Sequence, residues 1–354
     1  MIRSWIKSGA AGVLCRTGMD RVAGTLTGAS NAPVVLGYHR VVEDFDSSAS
    51  TAIPSLLISA GMLERQLDWI GRRYRFVDLN ELGARLERGD SRPIAAITFD
   101  DGYRDFYTHA LPLLQRKGIP AALFVVTDHV GTRRIQVHDK LYLLLARRGG
   151  RPLPKLWNGI PLPDLSTVNP YHALRTLLEA WPLGAVERLT SVLAADDPIP
   201  DELWEPGYSV TWEMLDRIRR AGVIVGSHTK SHALMTNESA ARVREEAAGS
   251  RAQLEARLGT SIQHFAYPSG IFNTAAVSAV ASAGYRFAYT TCTHRSACYP
   301  QLTIPRSVLW ENACLDSNRN FSSAIMRCQV QRAFDLVGGC RQAHDAVASQ
   351  EMYA

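Results

Sequence analysis

The sequence predicts an α/β protein built on a parallel sheet or barrel, and three observations support this. Short apolar runs rich in β-branched residues alternate with segments of helical period, which is the pattern of consecutive βαβ units. Two of the apolar runs end in clusters of Asp or His, and catalytic groups of α/β barrels collect at the ends of strands. At 354 residues and 46% hydrophobic content, the chain can form one large domain or two small ones.

The predicted elements alternate regularly along the chain. The strands are expected at 32–38, 94–99, 121–126, 223–227, 264–267 and 286–290. The helices are expected at 61–74, 80–89, 105–117, 211–221, 238–258 and 274–283. Parallel strands must be joined by crossover connections, which are usually helices. The predicted helices between the predicted strands supply these connections.

The stretch 131–206 interrupts this alternation and differs in composition. It is rich in proline and holds two helical patterns, at 139–148 and 171–195. Because it follows a strand, we interpret it as a largely helical insertion that forms one wall of the pocket. The barrel domain that carries the insertion spans 32–310. The segments outside that domain are an N-terminal amphipathic helical segment, 1–31, and a C-terminal helical extension, 311–354.

Composition and charge exclude several classes of protein. The net charge of +5 is scattered without a long Lys/Arg run, which argues against a nucleic-acid binder. The six cysteines form no CxxC pair, so free thiols in a reducing compartment are the simplest interpretation, and a disulfide-bonded tail in an exported protein is the alternative. No apolar stretch reaches the roughly 18 residues of a transmembrane helix.

The N-terminal segment interleaves apolar residues with Arg3, Lys7, Arg16 and Arg21. It lacks the long unbroken apolar centre of a signal peptide, and we therefore expect a cytoplasmic protein. The helix either docks on its own domain or lies on an anionic membrane surface. The second interpretation would place the protein on the inner face of the membrane and would suit a lipid-linked substrate.

The first chemical motif is Thr98-Phe99-Asp100-Asp101-Gly102, at the end of an apolar strand. Neighbouring side chains of a strand alternate faces, so the two carboxylates point in different directions. One can bind a metal while the other faces the substrate water. Taken alone, the pair could equally cap the following helix.

The second motif places His228 and His232 four residues apart, again after an apolar strand. Such a pair can share one metal ion, although alone it could be a chance occurrence on a polar loop. With a carboxylate from another strand end, the two imidazoles complete the open three-ligand site of catalytic zinc. Asp101 would be the ligand, and Asp100 would be the base that takes a proton from water.

Together the two motifs resemble the NodB-like polysaccharide deacetylases, carbohydrate esterase family 4. The family motif TFDDG is matched by residues 98–102, and H-S/T-x-x-H is matched by His228, Thr229 and His232. The resemblance covers about 33–306 outside the insertion. It implies a distorted (β/α)7-type barrel, usually loaded with Zn²⁺, that removes acetyl groups from glycans containing N-acetylglucosamine.

Other family motifs are altered in this chain. The R-P-P-Y-G motif aligns with 266–270, where the backbone N–H that would help to hold the oxyanion belongs to Ser269. The motif's arginine, the usual partner of the catalytic Asp, is missing, and Arg306 could replace it unless it is an ordinary surface arginine. The family's L-x-x-H general acid has no match after Tyr285, and His294 lies nearby in the wrong context.

The segment 37–41 (GYHRV) and the F-A-Y-P form of the third motif resemble the branch of the family that handles biofilm exopolysaccharides and related bacterial glycans. His39 ends the first strand, and either an active-site role or a structural hydrogen bond would explain it. We therefore expect a metal-dependent enzyme that hydrolyses the N-acetyl group of an amino sugar in a bacterial glycan or glycan precursor. The alternatives are an O-acetyl esterase, a non-carbohydrate amidase such as one acting on a cyclic ureide, and a glycan-binding relative that has lost catalysis.

Overall fold

A computed structural model describes residues 2–27, 29, 33–89, 93–149, 151, 156–157, 160–161, 168–335 and 344. The strands in these ranges are β1 (Val34–Tyr38), β2 (Arg40–Val42), β3 (Leu57–Ser59), β4 (Arg75–Phe76), β5 (Ile94–Phe99), β6 (Ala121–Val125), β7 (Leu156–Trp157), β8 (Ile160–Pro161), β9 (Ile224–Ser227), β10 (His264–Ala266), β11 (Phe287–Thr290), β12 (Ile304–Pro305) and β13 (Ser307–Val308).

The α-helices in the same ranges surround the sheet or extend from it. They are α1 (Ile2–Thr17), α2 (Met19–Leu26), α3 (Phe45–Ser48), α4 (Ala60–Gly71), α5 (Leu79–Arg88), α6 (Leu111–Lys117), α7 (Val137–Arg148), α8 (Pro170–Ala180), α9 (Leu183–Asp196), α10 (Trp212–Arg220), α11 (Ala240–Leu258), α12 (Thr274–Ser282) and α13 (Ser323–Val330).

A parallel sheet forms the wall of a nearly closed barrel. Its strand order is β12-β11-β10-β9-β6-β5-β1-β13, and β4 pairs with β5. Only Arg306 separates β12 from β13, yet β12 pairs with β11 and β13 pairs with β1. The two edges of the sheet are therefore joined through one residue. With β12 and β13 as a split last strand, this is the expected distorted (β/α)7-type barrel.

The barrel strands are buried on both faces, as parallel strands covered by helices must be. All six residues of β5 are buried. Ile97 and Phe99 join the large apolar cluster formed with the surrounding helices, whereas Ala96 joins a second cluster with Phe124 and Tyr289. This alternation follows the period of two along a strand. Because both faces of β5 are buried, its sequence is one continuous apolar run.

The insertion is largely helical and has a small core of its own. Apolar side chains of α7, α8 and α9 pack together, among them Leu144, Leu177 and Leu189. The prediction of one helix at 171–195 was wrong, because the chain breaks into α8 and α9. Pro182 follows the break and disfavours helical backbone in the residue before it, and Trp181 is extended, with φ −125° and ψ 148°.

The predicted helix at 105–117 also divides into two parts. A π-helical turn spans Phe106–Ala110, and α6 follows it. Pro112 stands in the first turn of α6 and has no N–H to continue an α-helical hydrogen-bond ladder across the junction. The other predicted helices and strands are present, with ends within three residues of the prediction.

The N-terminal segment forms two helices that dock on the domain. Ala11 and Ala23 pack in a cluster with Ile325 and Cys328 of α13. Asp20 at the start of α2 is fully buried and forms an ion pair with Arg327. The N-terminal segment is therefore helical, and α13 packs against one side of it.

The C-terminal extension is described only in part. It begins with a short 3₁₀ turn at Glu311–Cys314 and the helix α13, whereas 336–343 and 345–354 lie outside the described residues. Cys15, Cys298, Cys314 and Cys328 are free thiols. Within the described ranges, no helix combines the length and the apolar character needed to cross a membrane.

Candidate active site

The turn after β5 has an unusual backbone. Asp101 has φ 70° and Gly102 has φ 72°, and this left-handed region costs a residue with a side chain about 1–2 kcal/mol. A Cβ at position 102 would lie 2.9 Å from Cγ1 of Val125, so only glycine fits there. The turn sends the carboxylates of Asp100 and Asp101 to different partners.

Asp100 forms a buried ion pair with Arg306. Nη1 and Nη2 of Arg306 each lie 2.7 Å from a different carboxylate oxygen of Asp100. The exposed fractions of the two residues are 3% and 1%. Burial by itself would raise the pKa of Asp100, but the charge and hydrogen bonds of Arg306 outweigh it, and the pKa is lowered. This carboxylate is therefore ionised at neutral pH.

The closure of the barrel holds Arg306 in place. The backbone N–H of Arg306 donates to the carbonyl of Thr290 in β11, and Nη1 of its side chain also donates to Thr98 Oγ1 at 3.0 Å. The guanidinium carbon lies 5.4 Å from the ring centre of Phe124. Arg306 is therefore a residue of the barrel interior and not a surface arginine.

Asp101, His228 and His232 come together at the same end of the barrel. Oδ1 of Asp101 lies 3.4 Å from Nε2 of His228 and 3.2 Å from Nε2 of His232. One ligand atom from each residue lies within 4.8 Å of the others. Among the described residues, no other cluster of three His, Cys, Asp or Glu side chains has this geometry.

Neighbouring groups orient the two histidines. Nδ1 of His228 lies 2.8 Å from the carbonyl oxygen of Ala266, which can only accept a hydrogen bond. The proton therefore sits on Nδ1 and leaves Nε2 with a lone pair, the usual arrangement for a metal-binding histidine. Burial lowers the pKa of His228 to about 4, so the ring is neutral at neutral pH.

The loop that carries His232 is fixed by a buried glutamate. Glu246 of α11 is fully buried and accepts hydrogen bonds from the backbone N–H groups of Lys230 and Ser231 at 2.8 and 3.0 Å. Burial would lower the pKa of His232, but the charge of Asp101 outweighs it and the pKa is raised. Sequence reasoning missed Glu246, because a glutamate within a helix carries no local sign of this contact.

The three residues fit a divalent metal ion. Oδ1 of Asp101 is buried and has no hydrogen-bond partner among the described residues, a costly arrangement for a carboxylate unless a cation faces it. Two imidazoles and one carboxylate form a donor set that catalytic zinc uses. These residues can therefore hold a metal ion and leave one coordination position open.

The insertion contributes side chains that sequence reasoning did not identify. His138 of α7 is 5% exposed, and its ring centre lies 4.7 Å from that of His232. Its Nε2 lies 3.9 Å from Oδ2 of Asp101 and 2.9 Å from the hydroxyl of Tyr103. A lone histidine at the start of a helix gives no spacing signal, so only the tertiary structure identifies it.

The other predicted residues have different surroundings. His39 is half-buried directly after β1, and its Nδ1 is buried without a hydrogen-bond partner among the described residues. Burial acts to raise the pKa of both Asp100 and Asp101, but their neighbours, His39 among them, outweigh it and the pKa of each is lowered. Ser269 is exposed after β10 with φ 54°. His294 stacks on His344, with their ring centres 4.3 Å apart.

Comparisons with known proteins identify relatives of this chain. A poly-beta-1,6-N-acetyl-D-glucosamine N-deacetylase of Staphylococcus epidermidis is 31% identical over 111 residues, which are 29% of this chain and 38% of the relative. A protein of the same name from Staphylococcus aureus is 30% identical over 120 residues, 31% of this chain and 41% of the relative. The chain thus spans about two fifths of the length of these curated relatives.

A solved structure shows the same fold. The Streptococcus pyogenes deacetylase PplD, in complex with acetate, superposes with a TM-score of 0.51 and 18% identity, over 79% of this chain and 93% of that chain. The family model described as polysaccharide deacetylase matches residues 87–288, more than half of the chain. The chain belongs to the polysaccharide deacetylase family.

Proposed function

We propose that this protein is a metal-dependent hydrolase that removes the N-acetyl group from an amino sugar of a bacterial glycan or glycan precursor. The observation that carries this proposal is the open site of Asp101, His228 and His232 directly beside a second buried carboxylate, Asp100, paired with Arg306. A binding module would have no need for an ionised carboxylate at that position. The names of the staphylococcal relatives support an amide of an amino sugar as the substrate.

The chain's own residues can carry out the proton transfers of amide hydrolysis. A divalent metal, for which we propose Zn²⁺, supplies Lewis-acid activation of water and of the acyl oxygen when bound. Asp100 accepts a proton from the attacking water, since each of its oxygens retains a lone pair beside its bond to Arg306. The backbone N–H of Ser269 donates to the developing oxyanion, and the proton that Asp100 has accepted passes to the leaving amine, with His39 as the proposed carrier.

Substitutions can separate metal binding from proton transfer. Asp101→Ala and His228→Ala should lose the metal, whereas Asp100→Asn should keep the metal and lose turnover. Metal content is measured by elemental analysis, and acetate and free amine are scored separately on N-acetylated and O-acetylated oligosaccharides. His172→Ala, an exposed histidine of α8, is the matched control.

The outcomes decide between the candidate reactions. Release of acetate with an equal amount of amine supports an N-deacetylase, and acetate release from O-acetylated sugar alone would support an esterase. If Asp100→Asn retained normal turnover, Asp100 would not be the base. If the wild-type protein bound metal but released no acetate from either substrate, a glycan-binding relative without catalysis would be the better conclusion.

We also propose that α1 and α2 contact an anionic membrane surface, so that the enzyme acts at the cytoplasmic face of the membrane, on a lipid-linked substrate. Most of the large apolar side chains that are exposed in the described part of the chain lie on these two helices: Val13, Met19, Val22 and Leu26. Arg16 and Arg21 are exposed beside them, whereas Asp20, the only carboxylate of 1–27, is buried against Arg327. This surface is apolar and positive, a combination that suits an anionic bilayer.

Sedimentation with lipid vesicles tests the membrane contact. The triple variant Met19→Gln, Val22→Gln and Leu26→Gln should lose binding to anionic vesicles while it keeps activity on a soluble substrate. Val192→Gln, an exposed valine of α9 (52% exposed), is the control. Equal sedimentation of the wild-type and triple-variant proteins, or self-association through these helices without vesicle binding, would overturn the proposal.

A further inference from the structure

Three insertion residues contact the turn that carries Asp101. Gln136 donates from Nε2 to the carbonyl oxygen of Asp101 at 3.4 Å. Asp139 accepts a hydrogen bond from the hydroxyl of Tyr103 at 2.7 Å, and His138 lies 2.9 Å from the same hydroxyl. The exposed fractions of Gln136, His138 and Asp139 are 1%, 5% and 6%, so these contacts are shielded from water.

The hydrogen bonds of Tyr103 define the orientation of His138. A carboxylate can only accept, so the Tyr103 proton points to Asp139. The Tyr103 oxygen then accepts from Nε2–H of His138, and the ring of His138 cannot turn without breaking this bond. The fixed ring lies beside two proposed metal ligands, with its centre 4.7 Å from that of His232 and its Nε2 3.9 Å from Oδ2 of Asp101.

The backbone of the site needs such support. Asp101 has φ 70° and His232 has φ 63°, and both therefore occupy the left-handed region that side chains disfavour. Strained backbone of this kind persists only where the surrounding structure holds it. The insertion contacts the carbonyl of one strained residue and the ring of the other.

We propose that His138 is a positioning residue of the metal centre, and that the insertion is therefore part of the metal site as well as a wall of the pocket. His138, oriented by Tyr103 and Asp139, keeps the His232 ring and the Asp101 carboxylate at the spacing that a metal ion needs. The inference rests on the proposed metal centre.

Metal affinity of the chelator-stripped protein tests the proposal. Zn²⁺ affinity is measured by competition with a chelating indicator for the wild-type protein, Tyr103→Phe and His138→Phe. The second variant keeps an aromatic ring against His232 but loses the hydrogen bond to Tyr103. Loss of a group that orients metal ligands should weaken Zn²⁺ binding by roughly 10–100-fold. His172→Ala, in the same insertion, should bind Zn²⁺ like the wild type.

Two further measurements separate positioning from a general structural role. The thermal unfolding of each metal-free variant is followed by circular dichroism, and the absorption spectrum of bound Co²⁺ reports the geometry of the ligands. We expect variants with a folded metal-free state to have weaker Zn²⁺ binding and an altered Co²⁺ spectrum. Normal Zn²⁺ affinity with only a lower unfolding temperature would overturn the proposal. Failure of the wild-type protein to bind metal would instead contradict the proposed function.

Discussion

Replacement of Arg306 by methionine should destabilise the protein strongly, because it leaves the carboxylate of Asp100 buried without its cation. The pair is joined by two hydrogen bonds of 2.7 Å, and the two residues are 1% and 3% exposed. Removing one partner of such a buried pair costs about 3–5 kcal/mol. The free energy of unfolding of the metal-free variant, measured with urea at neutral pH, should fall by that amount.

A second variant tests how much of this cost comes from the charge of Asp100. In Arg306→Met with Asp100→Asn, position 100 no longer carries a buried charge without its cation, and the double variant should therefore be more stable than Arg306→Met alone. If Arg306→Met cost less than about 1 kcal/mol, the level of an exposed ion pair, the reasoning would be refuted. It would also fail if the added Asp100→Asn brought no recovery.

The same pair predicts a dependence on pH. The pKa of Asp100 is lowered in the folded state, so the pair contributes its full stability above the ordinary Asp value of 3.8. That contribution is lost as the pH falls through the lower, folded pKa. Urea unfolding of the wild-type protein and Arg306→Met across this range should therefore show a difference in stability that shrinks in strong acid.

Three further predictions concern the loops of the site. Glu246→Ala should cost on the order of 3 kcal/mol in urea unfolding, because it leaves part-buried N–H groups such as that of Ser231 without their acceptor; a cost near zero would show that water replaces the carboxylate. Gly102→Ala should cost about 2–3 kcal/mol, since its φ is 72° and a Cβ would lie 2.9 Å from Val125; an unchanged unfolding midpoint would contradict this. The pKa of His232 is raised above its ordinary 6.5, so Zn²⁺ affinity measured by competition should fall as the pH drops through that raised pKa, and a flat profile down to pH 6.5 would contradict it.

The barrel and the cluster of proposed ligands could be predicted from the sequence because both depend on local residue patterns. Apolar runs reveal buried parallel strands, and the polar residues after β5 and β9 stand at strand ends that a parallel sheet brings to one edge. No long-range information was needed to expect Asp101 near His228 and His232. The structure places their ligand atoms within 4.8 Å of one another.

The breaks in helices were harder to predict. The apolar spacing at 171–195 was interpreted as one helix, although the chain turns at Trp181 and Pro182. Glu246 and His138 were missed because their sequence neighbours do not distinguish them from ordinary helical residues. Their roles depend on which loop each helix faces, and only the packed structure determines that.

The sequence by itself determined the kind of protein: an α/β barrel of the polysaccharide deacetylase family, with two adjacent carboxylates and two histidines at the ends of buried strands. Only the tertiary structure decided what surrounds the carboxylates. Arg306 is 206 positions from Asp100 along the chain, and it reaches Asp100 because β12 and β13 join the two edges of the sheet. His138 reaches Asp101 because the insertion folds over the barrel. Both contacts join residues that are far apart in the sequence and meet only in the folded chain, so no local pattern of residues predicts them.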